Sequence, residues 1–378
     1  MNIQHITKNN IIKEIGRGTN GIVYKIKIDN KYYALKISKI IDEDLKINSK
    51  INREMEFFNK FGYKYPNFFT TYYGNYVSTT NIINNEKCDI LVDINDLEDS
   101  EIKNYLNKHK NSNIFIYRIY DLISFPLEDI LYKLSINQIY SMIIQITNII
   151  RLLHKNNYIH GDIHLKNIGV IKTSQKYIEI DTIKYETYGY IYKLVDFDSI
   201  LHKDDFMTEF EKNKYSCLYN YEYLNILNGL IKINYGIFDK HQILKYWCLY
   251  ENKTNNKYID ENYEYLLVNN KLNQQYKINQ QYKINQQYKI NQQYKINQQF
   301  KNKYIDLYLY YLEQNDTLIP KEDIYYIINN KDRYDDIIKY FGNKQKKNNN
   351  IKFISIICII LCTILCTILI IHQNKNQK

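Results

Sequence analysis

The stretch His160-Gly161-Asp162-Ile163-His164-Leu165-Lys166-Asn167 decides how the chain is read. It places a carboxylate, Asp162, five residues ahead of a carboxamide, Asn167. Moving a phosphoryl group onto a hydroxyl uses such a pair. The carboxylate orients the hydroxyl and accepts its proton, and the neutral amide oxygen ligates Mg²⁺. Asp and Asn are also common loop residues, so the octapeptide gains its meaning from what stands before and after it.

Upstream, residues 11–37 read as three strands. Ile11 to Ile15 leads into Gly16-Arg17-Gly18-Thr19-Asn20-Gly21-Ile22-Val23. Tyr24 to Ile28 alternates, Asp29-Asn30 turns, and Tyr32 to Ile37 is apolar. Three glycines in such a hairpin let the backbone approach phosphate oxygens with no Cβ in the way. In a dinucleotide-binding fold the same G-x-G-x-x-G would open a helix, whereas here a strand follows. A helix is expected from about Leu45 to Lys60, with Glu54 and Phe58 on one face and Glu56 on another. Pro66 to Gly74 reads as a turn and a fourth strand, 78–111 as a polar, acid-rich insertion, and Ile114 to Ile119 as a fifth strand.

Ser135 is positioned to cap a long helix from Ile136 to about His154. Ile139, Met142, Ile143, Ile146, Ile149, Ile150 and Leu153 recur there at three- and four-residue steps, the pattern of a buried helix. His154 reads as structural. After the octapeptide, Ile168 to Ile171 is a short strand and 172–190 a polar hairpin excursion. Tyr192 to Asp198 is a strand ending in Asp196-Phe197-Asp198.

Taken in order, these residues resemble the protein-kinase superfamily. G-x-G-x-x-G-x-V is met at Gly16, Gly18, Gly21 and Val23, and Tyr33-Ala34-Leu35-Lys36 resembles the V-A-I-K strand. His160 to Asn167 resembles H-R-D-x-x-x-x-N, and Asp196 to Asp198 resembles D-F-G. The resemblance covers residues 11 to about 200 well, and 200–340 by helix content alone. It implies an α+β, bilobal kinase-like fold with a β-rich N-lobe over residues 10–119 and a helical C-lobe over 120–265. It implies Mg-ATP in the cleft, with Tyr120-Asp121-Leu122 as the hinge. Gly16, Arg17, Gly18, Thr19, Asn20, Gly21 and Val23 would cover the nucleotide. Lys36 would contact its α- and β-phosphates, with Glu54 as the ion-pair partner of Lys36. Asp162 would be the catalytic base, and Asn167 and Asp196 the Mg²⁺ ligands.

Three departures matter. Gly161 replaces the arginine that answers activation-loop phosphorylation in many protein kinases. His164 stands two residues after Asp162, where Ser/Thr protein kinases carry lysine. H-G-D-x-H-x-x-N is similar to the loop of small-molecule kinases such as aminoglycoside and choline kinases. No A-P-E element follows, and Asp239 is only a weak match to a buried lobe-organising aspartate. The N-lobe motifs are similar to those of protein kinases, including kinases of large DNA viruses. The expected activity is phosphoryl transfer to a serine or threonine of a protein substrate. A small-molecule kinase and a pseudokinase scaffold remain the alternatives.

Composition bounds the rest. With 378 residues, 45% hydrophobic and 24% charged, the chain has material for two sizeable cores. The net charge of +10 comes from dispersed lysines, and no basic-aromatic module accompanies it, so nucleic acid is not expected as the primary partner. The six cysteines form no C-x-x-C pair, which fits a reducing compartment. No apolar h-region opens the chain, and Asn2 excludes N-myristoylation.

Lys271 to Phe300 is a run of K-[IL]-N-Q-Q-[YF] hexads, read as a low-complexity expansion. Residues 302–341 regain helical periodicity as a lobe extension or stalk, and 344–350 reads as a basic linker. Phe353 to Ile371 carries no charge. At ~1.5 Å per residue it is long enough for a ~30 Å hydrocarbon core. The expectation is a single-pass, tail-anchored membrane protein with its kinase-like body facing the cytosol.

Overall fold

The computed structural model describes residues 6–18, 21–39, 50–79, 81–83, 92–93, 113–205, 207, 211–212, 215, 222, 227–230, 316–330 and 332–349. Thr19, Asn20, most of the acidic insertion, Asp239, the hexads of 271–300 and the apolar run of 353–371 lie outside them. Among the described residues no helix is long and apolar enough to cross a membrane.

The N-terminal part is a six-stranded antiparallel sheet in the order β1-β2-β3-β6-β4-β5. Its strands are β1 (Ile11–Gly18), β2 (Gly21–Ile28), β3 (Lys31–Lys39), β4 (Tyr72–Ser78), β5 (Val92–Asp93) and β6 (Phe115–Asp121). The β2–β3 hairpin turns on Asp29 and Asn30, whose φ values of 46° and 64° suit the right-handed twist of the flanking strands. On β3, alternation sends Tyr33, Leu35 and Ile37 to an apolar cluster with Tyr24, Ile26, Tyr117 and Ile119. Ala34, Lys36 and Ser38 therefore point to the other face, toward the helices. β6 repeats this, with Ile116, Arg118 and Tyr120 sharing that second face.

Helix α1 (Lys50–Lys60) lies against the second face. Glu54, Phe57, Phe58 and Phe61 recur at three- and four-residue steps and are all buried. Phe57 and Phe58 enter the main core together with Phe69 and Tyr72.

The C-terminal part is built around α2 (Ile136–Lys155). Ser135 caps it as expected. Its hydroxyl accepts the Gln138 amide at 3.4 Å, and the Gln138 side chain accepts the Ser135 amide at 2.8 Å. The seven apolar positions named from the sequence are buried, and Gln145, Thr147, Asn148 and Arg151 are buried as well. A helix covered on nearly every side fits the centre of a lobe. Short strands β7 (Phe125–Pro126), β9 (Ile168–Lys172) and β12 (Tyr190–Leu194) pair as β12-β9-β7. The polar excursion between β9 and β12 is the hairpin β10 (Tyr177–Ile180) and β11 (Ile183–Glu186). β8 (Tyr158–Ile159) pairs with β13 (Leu201–His202) and brackets the octapeptide.

Residues 316–349 complete this core. Helix α3 (Lys321–Asn329) and a helix α4 over 334–349 place Ile324, Ile327, Ile337 and Phe341 against α2. The linker expected at 344–350 is corrected here, because residues 344–349 are the last turns of α4. Lys344, Gln345, Asn348 and Asn349 have partners in the fold. Lys344 lies 2.9 Å from Asp323, and Asn348 donates to Asn137 at 2.9 Å. Leu318 N–H donates to the Leu230 carbonyl at 2.9 Å, which sets residues 316–319 beside the helical turn at 227–230.

Candidate active site

The site forms where β3, α1, β6 and the segments flanking β8 and β12 converge. The octapeptide is held from both sides. The amide of His160 donates to Glu222 Oε2 at 3.2 Å, and the amide of Gly161 donates to Glu222 Oε1 at 2.6 Å. Glu222 is 1% exposed, so both bonds form away from water. His154 Nε2 lies 3.3 Å from Glu222, and its Nδ1 lies 2.7 Å from the Tyr334 hydroxyl. His154 is thus a structural link between the loop and α4. Gly161 has φ 78°, a left-handed conformation that glycine adopts without steric cost.

Asn167 Nδ2 donates to the Asp162 carbonyl at 2.9 Å, closing the loop on itself. That leaves the amide oxygen as the free donor atom type, as a hard cation requires. The Asp162 carboxylate is 29% exposed, with His164 Nε2 at 3.9 Å from it. Lys166 is turned away toward Glu128, at 3.7 Å.

Val195 joins this loop to the second acid. Its N–H donates to the Asn167 carbonyl at 3.0 Å, and its carbonyl lies 3.0 Å from His160 Nε2. Asp196, the next residue, is therefore brought beside Asn167. Its backbone is left-handed, with φ 64° and ψ 71°, a conformation costly for a residue with a Cβ. Phe197 holds it there. The ring is fully buried, stacked on Phe57 at 4.7 Å and edge-on to Phe58 at 5.1 Å, with the His160 ring at 4.8 Å.

Lys36 Nζ lies 2.6 Å from Asp196 Oδ1 and 2.6 Å from Asp198 Oδ2. The expected Lys36–Glu54 pair is not the one that forms. Glu54 is buried on the face it shares with Phe58, but its Oε2 takes Arg118 Nη1 at 2.7 Å and its Oε1 takes the Tyr120 hydroxyl at 2.8 Å. Arg118 also contacts Asp198, and its Nη2 donates to Ser38 at 3.0 Å. The reason is geometric. Arg118 and Lys36 are register partners on neighbouring strands, so two cations reach the same side of α1, and the guanidinium fork takes the carboxylate. Burial pushes the Glu54 carboxyl above its ordinary value, against Arg118 and Tyr120, which pull it down. Burial acts on Asp198 in the same sense, but Arg118 and Lys36 outweigh it and hold that carboxyl well below the usual range.

The glycine hairpin closes the site above β3. Gly18 faces Gly21 across the turn, and Val23 pairs with Gly16 and with Lys36. Gly21 has φ 147°, and a Cβ there would lie 2.4 Å from the Ile37 carbonyl, so glycine is required. Among the described residues, a Cβ at Gly18 would meet nothing within 4 Å. The Arg17 side chain is turned outward to Glu14 at 2.8 Å. An open glycine hairpin, an ammonium below it, and a carboxamide and a 41%-exposed carboxylate side by side suit a polyphosphate with a hard divalent cation.

Of the residues named from the sequence, Gly16, Gly18, Gly21, Val23, Lys36, Asp162, Asn167 and Asp196 converge here. Thr19 and Asn20 are not described. The sequence reading missed Arg118 and Glu222. Arg118 leaves a signal, as the one charged residue in the apolar run Ile114 to Ile119. Glu222 leaves none.

Residues 9–183 match the family described as protein tyrosine and serine/threonine kinase. The fold of the described residues is kinase-like, a sheet-rich N-terminal part over helices. Among solved structures, the chain is similar to a crystal structure of the kinase domain of PF14_0431. Identity is 20%, the TM-score is 0.33, and coverage is 54% of this chain and 55% of that one. It is also similar to vaccinia related kinase 3, at 15% identity and a TM-score of 0.31, covering 52% of this chain and 51% of that one. The chain thus spans about half the length of each. No curated protein matches it.

Proposed function

We propose that this chain is a Mg-ATP-dependent protein kinase acting on serine or threonine. The observation that carries the reading is the clamp on Val195. It sets Asp196 beside Asn167 while Lys36 approaches Asp196 to 2.6 Å under the glycine hairpin. Phosphoryl transfer is mostly positioning and charge stabilisation, and these residues supply both. Bound Mg²⁺ would neutralise charge on the transferred phosphate. Asn167 and Asp196 would hold it, Lys36 and the hairpin amides would orient the phosphates, and Asp162 would orient the acceptor hydroxyl and take its proton. Asp162 is suited to this by partial exposure beside a buried loop.

A second reading is favoured by a specific observation. Lys166 is engaged with Glu128, and His164 stands near Asp162 where protein kinases carry lysine. That arrangement suits a kinase of small amino alcohols or aminoglycosides. A pseudokinase scaffold is disfavoured by the retained metal and phosphate residues.

The deciding experiment incubates the full chain with Mg-ATP and casein or histone, next to Asp162→Ala. Transfer lost in the variant supports the protein-kinase reading. Transfer only to an aminoglycoside or choline supports the second. Absence of both, with no Mg-ATP binding, defeats phosphoryl transfer altogether.

The apolar run 353–371 supports a single membrane span, with the kinase body on the cytosolic side, where flanking lysines favour it. Deleting those residues should move the protein from the membrane to the soluble fraction in flotation. Retention in the membrane fraction would reject the span.

A further inference from the structure

Lys36 ends among acids that stand in different surroundings. The Asp196 side chain is 41% exposed and that of Asp198 is 7% exposed, yet each lies 2.6 Å from the Lys36 ammonium. The exposed carboxylate is the one a cation from solvent can reach. The buried one is fixed from behind by Arg118, which is itself fixed by Glu54 and Ser38. Glu54 accepts from Arg118 on one oxygen and from the Tyr120 hydroxyl on the other, and among the described residues the ion pairs of Lys36 are with Asp196 and Asp198. The formal charges of Lys36, Arg118, Glu54 and Asp198 cancel. This buried quartet is balanced without Asp196, whose charge is left for a metal ion.

We propose that Asp198 is the positioning residue of Lys36, and that Glu54 acts at one remove, by fixing the Arg118 that fixes Asp198. This rests on the phosphoryl-transfer reading. When Asp196 is engaged by Mg²⁺, Lys36 keeps one carboxylate partner and has ammonium hydrogens left for phosphate oxygens. The residue at the position where the D-F-G pattern has glycine then does the work that the sequence pattern assigns to the α1 glutamate.

A double-mutant cycle tests this, read as the affinity of the full chain for Mg-ATP by calorimetry. Lys36→Met and Asp198→Asn should each weaken binding on the order of tenfold, and the double variant should be no weaker than Lys36→Met alone. Glu54→Gln should weaken binding less than Asp198→Asn. A loss in Asp198→Asn that merely multiplies with that of Lys36→Met, while Glu54→Gln adds nothing to Lys36→Met, overturns the assignment. Should Asp198→Asn fail to fold, combining it with Arg118→Gln and Glu54→Gln leaves Lys36 no buried carboxylate and keeps Glu54 from replacing Asp198. That triple variant should bind as weakly as Lys36→Met, and wild-type binding by it overturns the proposal. A wild-type chain that binds no Mg-ATP defeats the phosphoryl-transfer reading, and the assignment with it. Wild-type binding with independent effects defeats the assignment alone.

Discussion

Glu222 Oε1 accepts the Gly161 amide at 2.6 Å, so the turn that presents Asp162 is hung from a buried carboxylate sixty-one positions away. Replacing it by alanine strands two buried amide donors, each costing about 1–3 kcal/mol. Glu222→Ala should lose roughly that sum in stability by urea unfolding. Glu222→Gln keeps one acceptor oxygen and should lose about half. Equal stability of Glu222→Ala and wild type would sever the link between this residue and the loop.

The two outer glycines of the hairpin should respond differently to a methyl group. Gly21→Ala meets the Ile37 carbonyl at 2.4 Å with φ at 147°, and should cost more than about 1 kcal/mol. At Gly16 the nearest atom would be Val23 Cβ at 3.9 Å, an ordinary contact. Gly16→Ala should therefore keep its melting temperature while lowering the affinity for Mg-ATP. A melting temperature that falls as far as that of Gly21→Ala would show the cradle to be tighter than described.

Phe57 touches the rings of Phe58, Phe61, Phe69, Tyr158 and Phe197. Phe57→Ala opens a cavity among them, worth about 3–5 kcal/mol. It also removes the ring on which Phe197 stacks, freeing Asp196 to leave its left-handed conformation. Mg-ATP affinity should fall even at temperatures where the variant remains folded. Unchanged affinity in the folded variant would uncouple the ring stack from the metal acid.

Acid should find Asp198. Burial favours its protonation, but Arg118 and Lys36 overcome that and depress its pKa. The stability it contributes is complete above its unfolded pKa of about 3.9 and drains away as pH falls through the folded value. Below about pH 4 the unfolded chain binds one more proton at this site, adding a slope of about 1.4 kcal/mol per pH unit. Asp198→Asn lacks that proton and should show a shallower acid limb. Glu54 shifts upward and acts above this window. Parallel limbs for the two proteins would contradict the ion network.

Much of this site was legible because its chemistry sits at short, fixed spacings. Asp162 and Asn167 share one loop, and alternation on β3 aims Lys36 at the helices. The partner of Lys36 was not legible. Periodicity turned Glu54 inward, but it cannot say which of two cations on adjacent strands arrives there. Arg118 lies sixty-four residues further on, and only strand register puts it opposite Lys36. Residues 344–349 were misread because polar composition resembles a linker. Lys344 and Asn348 in fact find buried partners in Asp323 and Asn137, and local sequence does not display such contacts. Glu222 sits beyond the segment where motifs order the chain, so nothing nearby marked it.

The bond between Leu318 and Leu230 bears on how this chain can vary over generations. It sets the two ends of the stretch encoded between those residues side by side on the described body. A change in the number of hexads leaves both attachment points as they are, so the described body places no length requirement of its own on what lies between them.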